Sequence, residues 1–194
     1  MKTWIGAMLA VVMALPVAAQ QIGDDGLHKQ PWMRDTFKDM RDDLAEANDE
    51  GKRLVLFFEQ RGCLYCKKMH EEVFSDPEVS DYIDENFFVV QLNLHGSTEV
   101  SDFDGDMRGE KDMARKWRVL FTPTIMFLPE EVPETDSAID AAVAVMPGAF
   151  SKSTSLDMFT WVAEKRYEMI DETGEDFQRY HARRITERGG SDLD

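Results

Sequence analysis

Cys63 and Cys66 are the chain's only cysteines, and they stand as C-x-x-C in the run Arg61-Gly62-Cys63-Leu64-Tyr65-Cys66-Lys67-Lys68. The apolar run Leu54-Val55-Leu56-Phe57-Phe58 ahead of them reads as a buried strand. Behind them, Cys66, Met69, Val73 and Phe74 recur at spacings of three and four, which predicts a helix over 63–74. A strand-to-helix junction places Cys63 at a helix N-terminus, where unpaired N–H groups and the helix dipole favour negative charge. A thiolate is stabilised there, and the thiolate is the attacking species. Cys66 falls one turn later, shielded but within reach of the first sulfur. It can therefore resolve a mixed disulfide by attacking Cys63. Arg61 and Lys67 add positive charge nearby. The chemistry implied is thiol–disulfide exchange, with Cys63 as nucleophile and Cys66 as resolving thiol.

Two other uses of these residues stay open. A structural disulfide is one, although so short a loop constrains the unfolded chain little. A metal site is the other: Cys63, Cys66 and His70 could supply three ligands, with copper as the candidate ion. No second C-x-x-C and no H-x-x-H exists to complete a zinc finger. His70 otherwise reads as a helix-face residue packed beside the dithiol.

The elements that must position the pair can be read along the chain. Residues 20–32 are polar, with Gly23, Gly26 and Pro31, and read as a flexible lead. Met33, Phe37, Met40 and Leu44 predict a helix from 33 to about 48, closed by Glu50-Gly51. Lys52 to Phe58 is the first strand. Ser75-Asp76-Pro77-Glu78 starts a fresh helix with proline at an early position. Phe87 to Leu94 is the second strand. Residues 95–110 form a polar excursion containing Asp102-Phe103-Asp104-Gly105-Asp106. Its likeness to a calcium loop fails, because Met107 stands at the required glycine and Met113 at the bidentate glutamate. A solvated acidic loop is the reading. Lys111 to Trp117 predicts a short helix. Pro123 stands immediately before the β-branched strand Thr124 to Leu128, a position a strand tolerates. Ile139 to Met146 predicts a further strand, ended by Pro147-Gly148. Leu156, Phe159, Ala163, Tyr167 and Ile170 predict one long helix, and Glu175 to Arg188 a weaker amphipathic one. The order is α/β, a central sheet covered by helices on both faces.

At 194 residues one domain is expected, with room for a core. Lys2, the apolar run Trp4 to Leu15, Pro16 and the small residues Val17-Ala18-Ala19 have the form of a signal peptide cleaved after Ala19. An uncleaved anchor is the alternative, although the stretch is short for a span. Export would put the dithiol beyond cytosolic reductants, so a reductant working there needs a donor of electrons, expected to be membrane-borne. The formal net charge of −16 argues against nucleic acid and anionic membrane surfaces as partners.

Three motifs together resemble the thioredoxin superfamily over residues 34–170: strand-then-C-x-x-C, Thr122-Pro123-Thr124 about sixty residues later, and Pro147-Gly148 before the last helix. The resemblance implies a thioredoxin fold, a central mixed sheet flanked by helices, with an extra C-terminal helix. The chain then divides into 1–19 signal peptide, 20–32 lead, 33–173 thioredoxin-like domain and 174–194 extension and tail. It implies that Pro123 is cis and lies against the dithiol, and that backbone groups of Thr122 pair with the substrate chain. Leu64 and Tyr65 join these two as substrate-binding candidates. Phe58-Glu59-Gln60, the stretch Gly62 to His70, Asp102 to Gly105, Glu110 to Trp117 and Phe121 to Thr124 look more closely like exported thioredoxins of the SoxW type, associated with bacterial sulfur oxidation. That likeness implies a monomeric periplasmic protein-disulfide reductase acting on exported partner proteins, with no cofactor and no metal.

The departures from the family bear on its potential. Leu64-Tyr65 replaces the usual proline-containing dipeptide, and Gly62 the usual tryptophan. The family's buried proton-accepting acid would fall at Phe57, which cannot serve. Glu59 is the possible base instead, with an exposed strand end as its bland reading. The competing functions are a copper metallochaperone using Cys63, Cys66 and His70, and a disulfide oxidase or isomerase.

Overall fold

The computed structural model describes residues 21–190. The expected signal peptide, its cleavage point and the last four residues lie outside them. In chain order the first elements are β1 (Gln21–Ile22), β2 (His28–Lys29), β3 (Met33–Arg34), α1 (Met40–Asp49), β4 (Arg53–Glu59), α2 (Leu64–Glu72), α3 (Pro77–Asn86) and β5 (Phe87–Asn93). There follow β6 (Glu99–Ser101), β7 (Met107–Gly109), α4 (Glu110–Lys116), β8 (Thr124–Phe127), α5 (Ala138–Ala141) and β9 (Ala144–Pro147). The chain closes with α6 (Lys152–Ala163), a 3-10 turn (Arg166–Met169), α7 (Ile170–Thr173) and α8 (Phe177–Glu187).

The central sheet is mixed, in the order β3-β5-β4-β8-β9. β3 and β4 run parallel to β5, while β8 runs antiparallel to both β4 and β9. Strand alternation sorts the core into two layers. Leu54, Leu56 and Phe58 face Met40 and Leu44 of α1 and Met113 and Trp117 at α4. Val55 and Phe57 face Met69 of α2, Val79 and Ile83 of α3 and Phe159 of α6. By the same alternation the last residue of β4, Glu59, stands on the side of Val55 and Phe57, beneath α2. This is the thioredoxin fold expected from the motifs.

Several expected elements differ. Residues 21–32 are not a loose lead: β1 and β2 form a hairpin, and Leu27, His28 and Trp32 are buried. Met33 and Arg34 pair with Val89 and Val90 as an edge strand, so the first helix begins only at Met40. Its start is fixed by Asp39, whose carboxylate accepts from the N–H groups of Arg41 and Asp42. Phe37, counted toward that helix by its spacing, is exposed instead. The strand expected from Ile139 begins at Ala144, after the single turn α5. The long final helix stops at Ala163, because Lys165 takes a left-handed conformation (φ 52°).

The acidic excursion is a hairpin of β6 and β7, and it holds an internal cation. Lys116 of α4 places its Nζ 2.8 Å from Asp102, 2.6 Å from Asp104 and 3.1 Å from Asp106. A single ammonium thus bridges the three carboxylates that resembled a calcium loop, and Arg108 adds a second positive charge at Asp106.

The C-terminal extension packs on the domain. Tyr180, Phe177 and Trp161 join the core layer on the α6 side. Asp157 of α6 is fully buried there, 2.6 Å from His181 Nδ1, and accepts two bonds of 2.8 Å from the Arg188 guanidinium. Burial works to raise its pKa, but the bonds from Arg188 and His181 outweigh it and hold the carboxyl below the usual range.

Asp43, in the first turn of α1, is shifted the other way. Burial pushes its pKa up to about 7, against a hydrogen bond from Thr36, and Asp39, Glu46 and Asp42 reinforce the rise. A carboxyl whose folded pKa is raised binds its proton more tightly in the native state. Its contribution is therefore complete below the unfolded value near 3.8 and is lost as pH rises through about 7. Asp43→Asn keeps an acceptor for Thr36 and removes the charge. We expect it to be more stable than the wild type toward urea at pH 8 and nearly equal to it at pH 4. An equal difference at both values would contradict the assignment.

Candidate active site

Gly62 sets the turn between β4 and α2, with a φ of 73° that an L side chain rarely adopts. Cys63 follows as the N-cap of α2, and its Sγ accepts from the N–H of Cys66 at 3.0 Å. The two cysteines form a disulfide (S–S 2.11 Å, Cα–Cα 5.2 Å). Cys63 is 6% exposed and Cys66 fully buried, so the first cysteine is the more accessible of the two. Around it Leu64 is 78% exposed, Tyr65 67% and Phe121 52%, with Leu120 more open still. Tyr65 also lines an open groove of about 760 Å³ that runs between α2 and the start of α6, past Met69, Val73 and Phe150.

The second expected motif meets the first. The Thr122–Pro123 peptide is cis, and Thr122 Oγ1 donates to Cys63 Sγ at 3.2 Å. Among the described residues no protein group takes the backbone N–H or C=O of Thr122. Gly148, with a φ of 101°, donates its N–H to the carbonyl of Pro123 at 2.8 Å. Thus Cys63, Cys66, Thr122 and Pro123 come together, bordered by Leu64 and Tyr65. Arg61 does not turn toward the sulfurs: its guanidinium donates to the Asp25 carbonyl of the N-terminal hairpin at 3.3 Å.

Glu59 is not an exposed strand end. It is fully buried, and Oε1 lies 3.2 Å from His28 Nδ1 and 3.1 Å from His70 Nε2. Its Oε2 accepts from Gln91 Nε2, which also donates to the His28 carbonyl at 2.8 Å. Gln30 Nε2 lies 3.0 Å from His70 Nδ1, and the two imidazoles stack at 5.0 Å. No hydrogen bond joins Glu59 to either sulfur among the described residues. His70 is correspondingly not a partner of the cysteines. Among the described residues, the group of potential ligands that converges is His28, Glu59 and His70, without a sulfur. The expected set of Cys63, Cys66 and His70 is corrected on that geometry. Phe57 packs edge-on against His70 and Phe74, so the family's acid position is filled by an aromatic ring that walls this cluster.

The sheet order, the dithiol at the helix N-terminus and the cis proline against it define a thioredoxin-like oxidoreductase fold. Residues 40–136 match the thioredoxin-like domain family, and the chain belongs to that family. Among solved structures it is similar to a thioredoxin-fold protein from Helicobacter pylori, at 20% identity over 72% of this chain and 86% of that one, with a TM-score of 0.56. It is also similar to a thioredoxin from Thermus thermophilus, at 24% identity over 70% of this chain and 92% of that one, with a TM-score of 0.53. Curated proteins gave no match.

Proposed function

We propose that this protein is an exported protein-disulfide reductase of the SoxW type, working in the periplasm as a monomer and recharged by a membrane-borne electron donor. The observation that carries the reading is the asymmetry of the pair: Cys63 reaches the surface at a helix N-terminus while Cys66 is buried behind it. In the reaction the Cys63 thiolate attacks one sulfur of a partner's disulfide. A Cys63–partner disulfide forms, and the partner's other sulfur leaves as thiolate. Cys66, having lost its proton, then attacks Cys63 Sγ. The Cys63–Cys66 disulfide forms and the second partner sulfur leaves, so two electrons have passed to the partner. The donor restores the dithiol. The Cys66 N–H that bonds Cys63 Sγ in the oxidised protein is placed to stabilise the Cys63 thiolate, and the Thr122 hydroxyl supplies a second donor. The free backbone groups of Thr122 offer a short strand of pairing to the substrate chain.

Direction is tested by the reduction potential of the pair, from equilibration in glutathione or dithiothreitol buffers. The expected value is roughly −270 to −230 mV, at the thioredoxin end of the scale. A value near −120 mV would instead make the protein a disulfide donor. The copper-chaperone alternative is disfavoured by the placement of His70, which converges with His28 and Glu59 rather than with the sulfurs.

A further inference from the structure

We propose that His28, Glu59 and His70 form a zinc-type metal site, separate from the dithiol. The three residues come from three elements: the N-terminal hairpin, the end of β4 and the last turn of α2. Each is buried, and their donor atoms lie within 4.8 Å of one another. Both imidazoles aim a nitrogen at the same carboxylate oxygen, at 3.2 and 3.1 Å. Neighbouring ligands about 2.0–2.1 Å from a tetrahedral zinc ion stand about 3.3 Å apart. Both imidazole–carboxylate spacings therefore suit one ion held by His28 Nδ1, His70 Nε2 and Glu59 Oε1.

The surroundings fit the same use. A ligating histidine is normally oriented through its other ring nitrogen, and a ligating carboxylate through its free oxygen. Gln30 meets His70 Nδ1, and Gln91 meets Glu59 Oε2. Gln91 is itself fixed by Lys29, whose Nζ donates to its Oε1 at 2.6 Å. Two imidazoles and one carboxylate are a donor set for zinc and its first-row neighbours. Calcium and magnesium ask for oxygen ligands, which this site does not provide in number. Copper(I) favours soft sulfur ligands, which the site lacks. An ion here would clip the N-terminal hairpin to the redox helix one turn beyond Cys66.

The test uses oxidised protein stripped with a chelator, so that no thiolate is free to bind. It is titrated with Zn2+ in competition with a chromophoric chelator. We expect one equivalent to bind and the melting temperature to rise. His28→Ala and His70→Ala should each weaken binding at least about 100-fold, and Gln30→Ala by about 10–100-fold. The Cys63→Ser/Cys66→Ser double variant should bind as the wild type does. Substitution with Co2+ should give visible d–d bands with no thiolate-to-metal band, a readout that needs no variant. Failure of the oxidised wild type to bind Zn2+ overturns the proposal. So does wild-type affinity in both histidine variants, or binding that appears only on reduction and vanishes in the double serine variant. None of these outcomes bears on the direction of the dithiol's chemistry.

Discussion

Cys63→Ser is expected to bring the protein's reduction of insulin down to the rate of the dithiothreitol control, whereas Cys66→Ser is expected to accumulate mixed disulfides with its substrates. The two substitutions change the same atom one helical turn apart, so the contrast between them tests position rather than chemistry. Of the two cysteines Cys63 alone keeps any exposure, and it caps a helix whose N-terminus stabilises the thiolate. Removing it removes the attacking species. Cys66 is fully buried, so an incoming disulfide cannot reach it before Cys63 has reacted. Removing it leaves the first attack intact and deletes the second, and the covalent intermediate persists. Non-reducing electrophoresis of each variant with a disulfide-containing substrate, followed by mass spectrometry of the adduct, reads the result. Adducts on Cys66 in the Cys63→Ser protein would reverse the assignment of nucleophile and resolving thiol.

What was legible in the sequence was the part governed by local pattern. A C-x-x-C between an apolar run and a helical repeat places the dithiol, because strand and helix periods are visible within a few residues. The place of Thr122-Pro123 against the dithiol is legible only through the family resemblance, and the structure brings the Thr122 hydroxyl onto Cys63 Sγ. The acidic loop fails as a calcium site because its sequence has Met107 and Met113 where the glycine and the glutamate belong. The ion that replaces calcium there, Lys116, stands 12 residues beyond Asp104, on a helix that the loop folds back against.

What was missed depended on contacts across long separations. His28 lies 31 residues from Glu59, within a polar stretch whose glycines and proline suggested a loose lead. The signals that it docks are Leu27 and Trp32, two apolar residues too few to set a period. Met33 has helical spacing to Phe37 and Met40, yet it pairs with Val89 because the edge of the parallel sheet has open hydrogen-bonding groups there. Tertiary pairing overrode local periodicity. For Glu59 the sequence offered a charged residue at a strand end, usually solvated. Only the alternation of β4, carried one residue past Phe58, turns it under α2.

That placement makes Glu59→Ala the substitution with the largest expected cost to stability. The carboxylate is fully buried and accepts from Gln91 while facing two imidazole nitrogens. Its loss leaves three polar groups from three segments without their common acceptor, and a cavity where the side chain stood. Leaving a buried hydrogen-bonding group without its partner costs about 1–3 kcal/mol, and here several groups lose the same acceptor at once. Glu59→Gln keeps the volume and one acceptor oxygen, so it should recover part of that loss. Glu59→Leu keeps much of the volume but no acceptor, and should recover less. Urea unfolding of the oxidised, metal-free proteins measures all three on one scale. Near-wild-type stability in Glu59→Ala would mean that water reaches the cluster and replaces the carboxylate, a result the burial of His70 and Phe57 on either side argues against. The order Gln above Leu above Ala would show that the acceptor, and not merely the volume, ties the N-terminal hairpin to the redox helix.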